Sequence, residues 1–174
     1  MRLCCHCCEG SVDDRGERQD VIVLVEDYGI DRECLKLEVT ESAYTENAEQ
    51  IIATIDHLRD QGFQIEMDDF GSGYSSLNML SSMPIDVLKM DMAFIRNIER
   101  SEKDLRLVEL VLDIARYLKV PVVAEGVETD GQLGLLRDAG CDLIQGYFFS
   151  PPLPPEQFEA LIEKEQAKDR EDVS

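Results

Sequence analysis

Residues 62–91, GFQIEMDDFGSGYSSLNMLSSMPIDVLKMD, decide the fold class. Two short apolar runs, Phe63–Asp68 and Val87–Asp91, each close on acidic side chains. Runs of this length, bounded by glycine- and helix-forming segments, read as successive strands of a parallel sheet. The same pattern continues outward, with Leu35–Thr40 upstream and Val120–Glu125 and Asp142–Gln145 downstream. Between these runs Ala48, Ile51, Ile52, Ile55 and Leu58 share one helical face, and Leu107, Val111, Ile114, Ala115 and Leu118 share another,. Strands alternating with amphipathic helices predict an α/β fold of about five parallel strands with flanking helices. Punctuation agrees: Thr129-x-x-Gln132 is a capping box, Gly62 and Gly140 stand where helices end, and Pro155 suits a first helical position,.

Composition narrows the functions open to such a chain. Its 174 residues carry a net charge of −20, and the 17 Lys and Arg are scattered rather than striped. A nucleic-acid polymer is therefore excluded as a partner, because tracking a phosphate backbone needs a basic surface. A small phosphate ligand needs metal cations to bring it in. No run of about 18 apolar residues predicts a membrane span, the N-terminus has no signal-peptide core, and the expected location is cytoplasmic.

The first 20 residues differ from the rest. Cys4-Cys5-His6-Cys7-Cys8 contains two Cys-x-x-Cys spacings, each half of a zinc site, but no second half follows,. The polar, turn-rich residues 9–20 predict a disordered Cys-rich leader over 1–20. A folded domain is expected over 21–165, and a charged tail over 166–174.

In parallel α/β folds, chemistry collects at the C-terminal ends of the strands. Here those ends carry Glu38 and Glu41, Asp68 and Asp69, Lys89 and Asp91, Glu125 and Glu128, and Gln145. So many acids at one mouth repel one another unless positive charge sits between them. Taken singly, each acid reads best as a solvated strand end or a helix cap; the coincidence over five strands favours a divalent cation. Oxygen donors without clustered His or Cys favour magnesium or manganese, and such ions suit hydrolysis of a phosphodiester. Lys89 and Asp91, two apart in a strand, share a face, where Lys89 is placed to hold or deprotonate the attacking water. Gly71 and Gly73 supply a flexible loop after Asp69.

The stretches LKLEVTES (35–42), DDFGSGYSSLNML (68–80), PIDVLKMD (84–91), VVAEGVET (122–129) and CDLIQGYFFSPPLP (141–154) resemble the EAL-domain cyclic-di-GMP phosphodiesterases, in order and spacing, over residues 22–163. The resemblance implies a TIM-like (β/α) barrel and cleavage of cyclic di-GMP to linear pGpG with two Mg2+ or Mn2+ ions. It implies that Glu38, Asp68, Asp69 and Asp91 serve the metals, that Lys89 positions water, and that Glu125 and Glu128 complete the catalytic shell. Glu41 would anchor the loop of Gly71 and Gly73, Gln145 would meet substrate, and residues 69–82 would couple the site to a homodimer.

The family's Glu-Ala-Leu and a following strand with an Asn ligand should precede residue 21, where nothing matches them. Glu159-Ala160-Leu161 spells the tripeptide, but within an amphipathic helix whose apolar face is Phe158, Leu161 and Ile162, so it reads as coincidence. A partial barrel lacking its first three strands is the expectation. Two functions follow from it: a phosphodiesterase domain in truncated form, or an inactive remnant that binds cyclic di-GMP weakly or mediates dimerisation.

Overall fold

The computed structural model describes residues 3–5, 15–41, 43, 48–71 and 77–172. Among these, six strands form one sheet in sequential order: β1 (Leu3–Cys5), β2 (Leu35–Thr40), β3 (Gln64–Phe70), β4 (Val87–Met90), β5 (Val122–Ala124) and β6 (Leu143–Ile144). All neighbours pair in parallel. The connections carry α1 (Arg15–Asp27), α2 (Ala48–Asp60), α3 (Leu77–Ser82), α4 (Met92–Ile95), α5 (Glu102–Leu118) and α6 (Asp130–Asp138), and α7 (Pro155–Asp172) closes the described chain. No described helix is long and apolar enough to cross a membrane.

The sheet has two unlike faces, because alternate residues of a strand point to opposite sides. Leu37, Val39, Ile65, Met67, Leu88, Met90, Val122 and Ala124 belong to one apolar cluster with Ile51, Ile55 and Leu58 of α2 and Val108, Leu112 and Ala115 of α5. Ile65, Met67 and Met90 are fully buried, each a contribution of about 1.5–3 kcal/mol. The residues that alternate with these, Lys36, Glu38, Glu66, Asp68 and Lys89, carry charge yet are shielded from solvent on the other side. A parallel sheet covered by helices on both faces reads as nearly continuous apolar runs. This one alternates, so its second face is built for polar chemistry.

Two aspartates pin the opposite end of the strands. Asp86, just before β4, accepts from the Ile65 N–H at 2.9 Å, and Asp142, just before β6, accepts from the Val122 N–H at 2.9 Å. The capping box is present: Thr129 Oγ1 accepts from the Gln132 N–H, and Gln132 Oε1 accepts from the Thr129 N–H. Gly62 and Gly140 have φ of 91° and 75°, the left-handed conformation that ends a helix.

All five expected strands are found, with β2 matching its expected limits. Differences lie elsewhere. The sheet gains a sixth strand, since Leu3–Cys5 pairs with the edge of β2, and α1 begins at Arg15, inside the stretch expected to be an irregular leader. Cys4 and Cys5 lie in β1, while His6, Cys7 and Cys8 fall outside the described residues. On α5 the buried face is Val108, Val111, Leu112 and Ala115, and Leu107, expected to be covered, is 41% exposed. LRLVELVLDIARYL carries two adjacent apolar stripes, and packing on the sheet selects between them. Helix α7 continues through the charged tail to Asp172, and Glu159-Ala160-Leu161 lies within it.

Candidate active site

Lys89 stands at the centre of the polar face. Its Nζ lies 2.6 Å from Glu38 Oε1, 2.8 Å from Asp68 Oδ1 and 3.0 Å from Glu125 Oε1. Four strands contribute: β2 brings Glu38, β3 Asp68 and β4 Lys89, and Glu125 follows β5 directly, its N–H donating to Met90 O at 3.1 Å. The Lys89 side chain is 3% exposed. Burial alone lowers an ammonium's pKa, but the hydrogen bonds that Lys89 donates to Asp68, Glu38 and Glu125 outweigh it and hold Lys89 well above the ordinary lysine value. Lys89 is thus held as an ammonium, a donor of hydrogen bonds,. Burial raises the carboxyl pKa of Glu125, which Lys89 offsets only in part. Glu125 is the longest-range and least shielded of the three partners.

A pH dependence follows. The folded pKa of Lys89 is raised above its ordinary value of 10.5, so its stabilising contribution is whole below that pH and is lost as pH rises through the folded value. Urea midpoints measured between about pH 9 and 12 should fall more steeply for the native chain than for Lys89→Met. Parallel curves would contradict the assignment.

The exit from β3 is strained in a way that shapes the mouth. Asp69 has φ 54°, rare for a residue other than glycine,, and the β3–β4 register shifts between Met67 and Phe70. Gly71 follows with φ 93°, and a Cβ there would lie 2.0 Å from Phe94 Cε2. The Gly71 N–H donates to buried Glu41 Oε2 at 3.1 Å, which anchors the chain where it leaves β3. Gly73 lies outside the described residues.

The remaining expected site residues also lie at or beyond strand ends. Asp91 caps α4, accepting from the Ala93 N–H at 2.7 Å; its place at a helix start accounts for that use. Asp69, Glu128 and Gln145 are exposed at strand ends. Gln145 joins the sheet through its backbone, donating to Ala124 O and accepting from the Val127 N–H. Among the described residues no three His, Cys, Asp or Glu side chains converge closely enough to hold a metal ion. The donor type nevertheless fits a hard cation, since Glu38 and Asp68, on neighbouring strands, present carboxylate oxygens beside Lys89,. Sequence reasoning missed Lys36 and Glu66, which form a buried ion pair on the same face. Their signal was the alternation itself, each standing two residues before an expected ligand.

A family model described as EAL domain matches residues 9–152, reaching further upstream than the motifs. Cyclic di-GMP phosphodiesterase NbdA of Pseudomonas aeruginosa is 40% identical over 162 residues, covering 93% of this chain and 21% of the relative. The chain thus spans about a fifth of that relative's length. A solved structure of PaMucR phosphodiesterase in complex with c-di-GMP superposes with a TM-score of 0.85 at 32% identity, covering 90% of this chain and 64% of that one. The manganese/c-di-GMP complex of Klebsiella pneumoniae BlrP1 superposes with a TM-score of 0.74 at 31% identity, covering 80% of this chain and 35% of that one.

Proposed function

This chain belongs to the EAL domain family, and from that premise we propose that its Lys89 centre is part of a site hydrolysing cyclic di-GMP to linear pGpG. The observation that carries the reading is one buried ammonium gripped by carboxylates from three other strand ends. Magnesium or manganese, held by Glu38, Asp68 and Asp69, would neutralise the phosphodiester and supply an activated water. Lys89, whose N–H groups meet Glu38, Asp68 and Glu125 here, would turn one of them to hold that water's oxygen. Glu125, whose carboxyl pKa burial raises, is placed to take its proton. In this reading the chain works in the cytoplasm, and two copies pair through residues 69–82, a segment tied to the site by the hydrogen bond from Gly71 to Glu41.

One observation favours a second reading, binding without turnover: the Lys89 ammonium already occupies the space among Glu38, Asp68 and Glu125. Chromatography of cyclic di-GMP incubated with the chain separates the two. Linear dinucleotide forming with Mn2+ and ceasing on chelation supports hydrolysis. Calorimetric binding with no product supports the second reading, and neither binding nor product would sink both.

A further inference from the structure

A second ion pair lies beneath Lys89 on the same polar face. Lys36 on β2 donates to Glu66 Oε1 on β3, and the two residues are 7% and 2% exposed. The register sets Glu66 beside Glu38 and Thr40 beside Asp68, so Glu38, Glu66 and Asp68 share one patch of two adjacent strands. An ammonium has three N–H donors, and Glu38, Asp68 and Glu125 match those of Lys89. Glu66 belongs to β3, between β2 and β4, and so lies nearer in strand order to Lys89 than Glu38, which Lys89 already reaches. Glu66 is thus a fourth carboxylate on the face that Lys89 occupies. Stability alone does not account for Lys36, because a buried ion pair is commonly matched or exceeded by an apolar pair of similar volume.

We propose that Lys36 is a positioning residue for the Lys89 centre: by engaging Glu66 it keeps that carboxylate from drawing Lys89 away from Glu38, Asp68 and Glu125. The proposal rests on reading the Lys89 cluster as the working site. Removing only the lysine, by Lys36→Met, leaves Glu66 beside Glu38 without that ammonium and turns Lys89 toward it. Removing the competing charge as well, by Lys36→Met with Glu66→Gln, lets Lys89 return.

The test follows the Lys89 ammonium by 1H–15N NMR of the full chain with labelled lysine, its resonance assigned by its loss in Lys89→Arg. Lys36→Met should shift that resonance, the double variant should restore it, and Lys36→Arg should leave it in place. A folded Lys36→Met protein with the resonance unmoved overturns the proposal. If Lys36→Met does not fold, the double variant decides: a native resonance supports the proposal and a displaced one overturns it. In parallel, kcat for Mn2+-dependent cyclic-di-GMP hydrolysis should fall about 10–100-fold in Lys36→Met at unchanged KM and recover in the double variant. A merely structural lysine would lower the melting temperature without either effect. No hydrolysis by the native chain would sink the phosphodiesterase reading, while the resonance would still decide the role of Lys36.

Discussion

Replacing Lys89 with methionine is expected to lower the free energy of unfolding by about 3–5 kcal/mol, the cost of removing one partner from a buried ion pair. Methionine fills much of the same space, so little of the loss comes from packing. The loss is electrostatic. Glu38, Asp68 and Glu125 are held within 3.0 Å of Nζ, and without it three carboxylates face one another in a shielded layer. At an effective dielectric constant of about 20, each pair of like charges 4 Å apart repels by about 4 kcal/mol, which side-chain movement and proton uptake relieve in part. Two features identify this cause. Acid should narrow the deficit as the carboxylates take up protons, and Mn2+ should narrow it by supplying the missing charge. Urea denaturation followed by circular dichroism, with chelator and then with Mn2+, checks both. Equal midpoints for the native and variant proteins would contradict the ion-pair account.

Gly146→Ala is expected to cost about 2–5 kcal/mol through overpacking and lost backbone hydrogen bonds. A Cβ at Gly146 would lie 2.1 Å from Val127 O and 2.3 Å from Val127 N. These are backbone atoms that no side-chain rotation can clear. Val127 N donates to Gln145 O at 3.2 Å, and Val127 O accepts from the Phe148 N–H at 2.9 Å, so separating the segments breaks both bonds. Glu125 lies two residues before Val127, and the displacement also loosens its contact with Lys89. Gly134→Ala is the control. It sits within α6 with nothing within 4 Å of the added methyl, and should stabilise by about 1 kcal/mol through helix propensity. Thermal unfolding of the two variants should move in opposite directions; a Gly146→Ala protein as stable as the native chain would contradict the close approach.

The strands were legible because each apolar run ends abruptly on charge, and β2 was recovered to the residue. The Lys89 cluster was legible for a related reason: Glu38, Asp68, Lys89 and Glu125 stand at or just past strand ends, where parallel folds gather side chains. What sequence could not resolve was competition between equivalent local choices. Helix α5 has two apolar stripes, and only the sheet decides that Val108 rather than Leu107 is buried. Asp91 follows a strand and precedes a helix, and the structure shows its Oδ1 capping that helix, a use that the strand pattern alone did not reveal. Strand β1 escaped notice because three residues beside a cysteine cluster carry no periodicity, and their pairing depends on the edge of β2. Lys36 and Glu66 were passed over because a charge in a predicted strand is ordinarily assigned to solvent; only the register shows that the two meet inside.

The central claim, that the Lys89 centre carries out hydrolysis of cyclic di-GMP, is tested most directly by the rate of pGpG formation with saturating Mn2+ in the native chain and in Glu38→Gln, at matched folded fraction. Glu38→Gln removes the carboxylate's charge while leaving an oxygen toward Lys89. The native chain should turn over measurably and the variant should lose about 100-fold or more, the scale of removing a preorganised electrostatic contact from a transition state. Equal rates in the two proteins would contradict that claim.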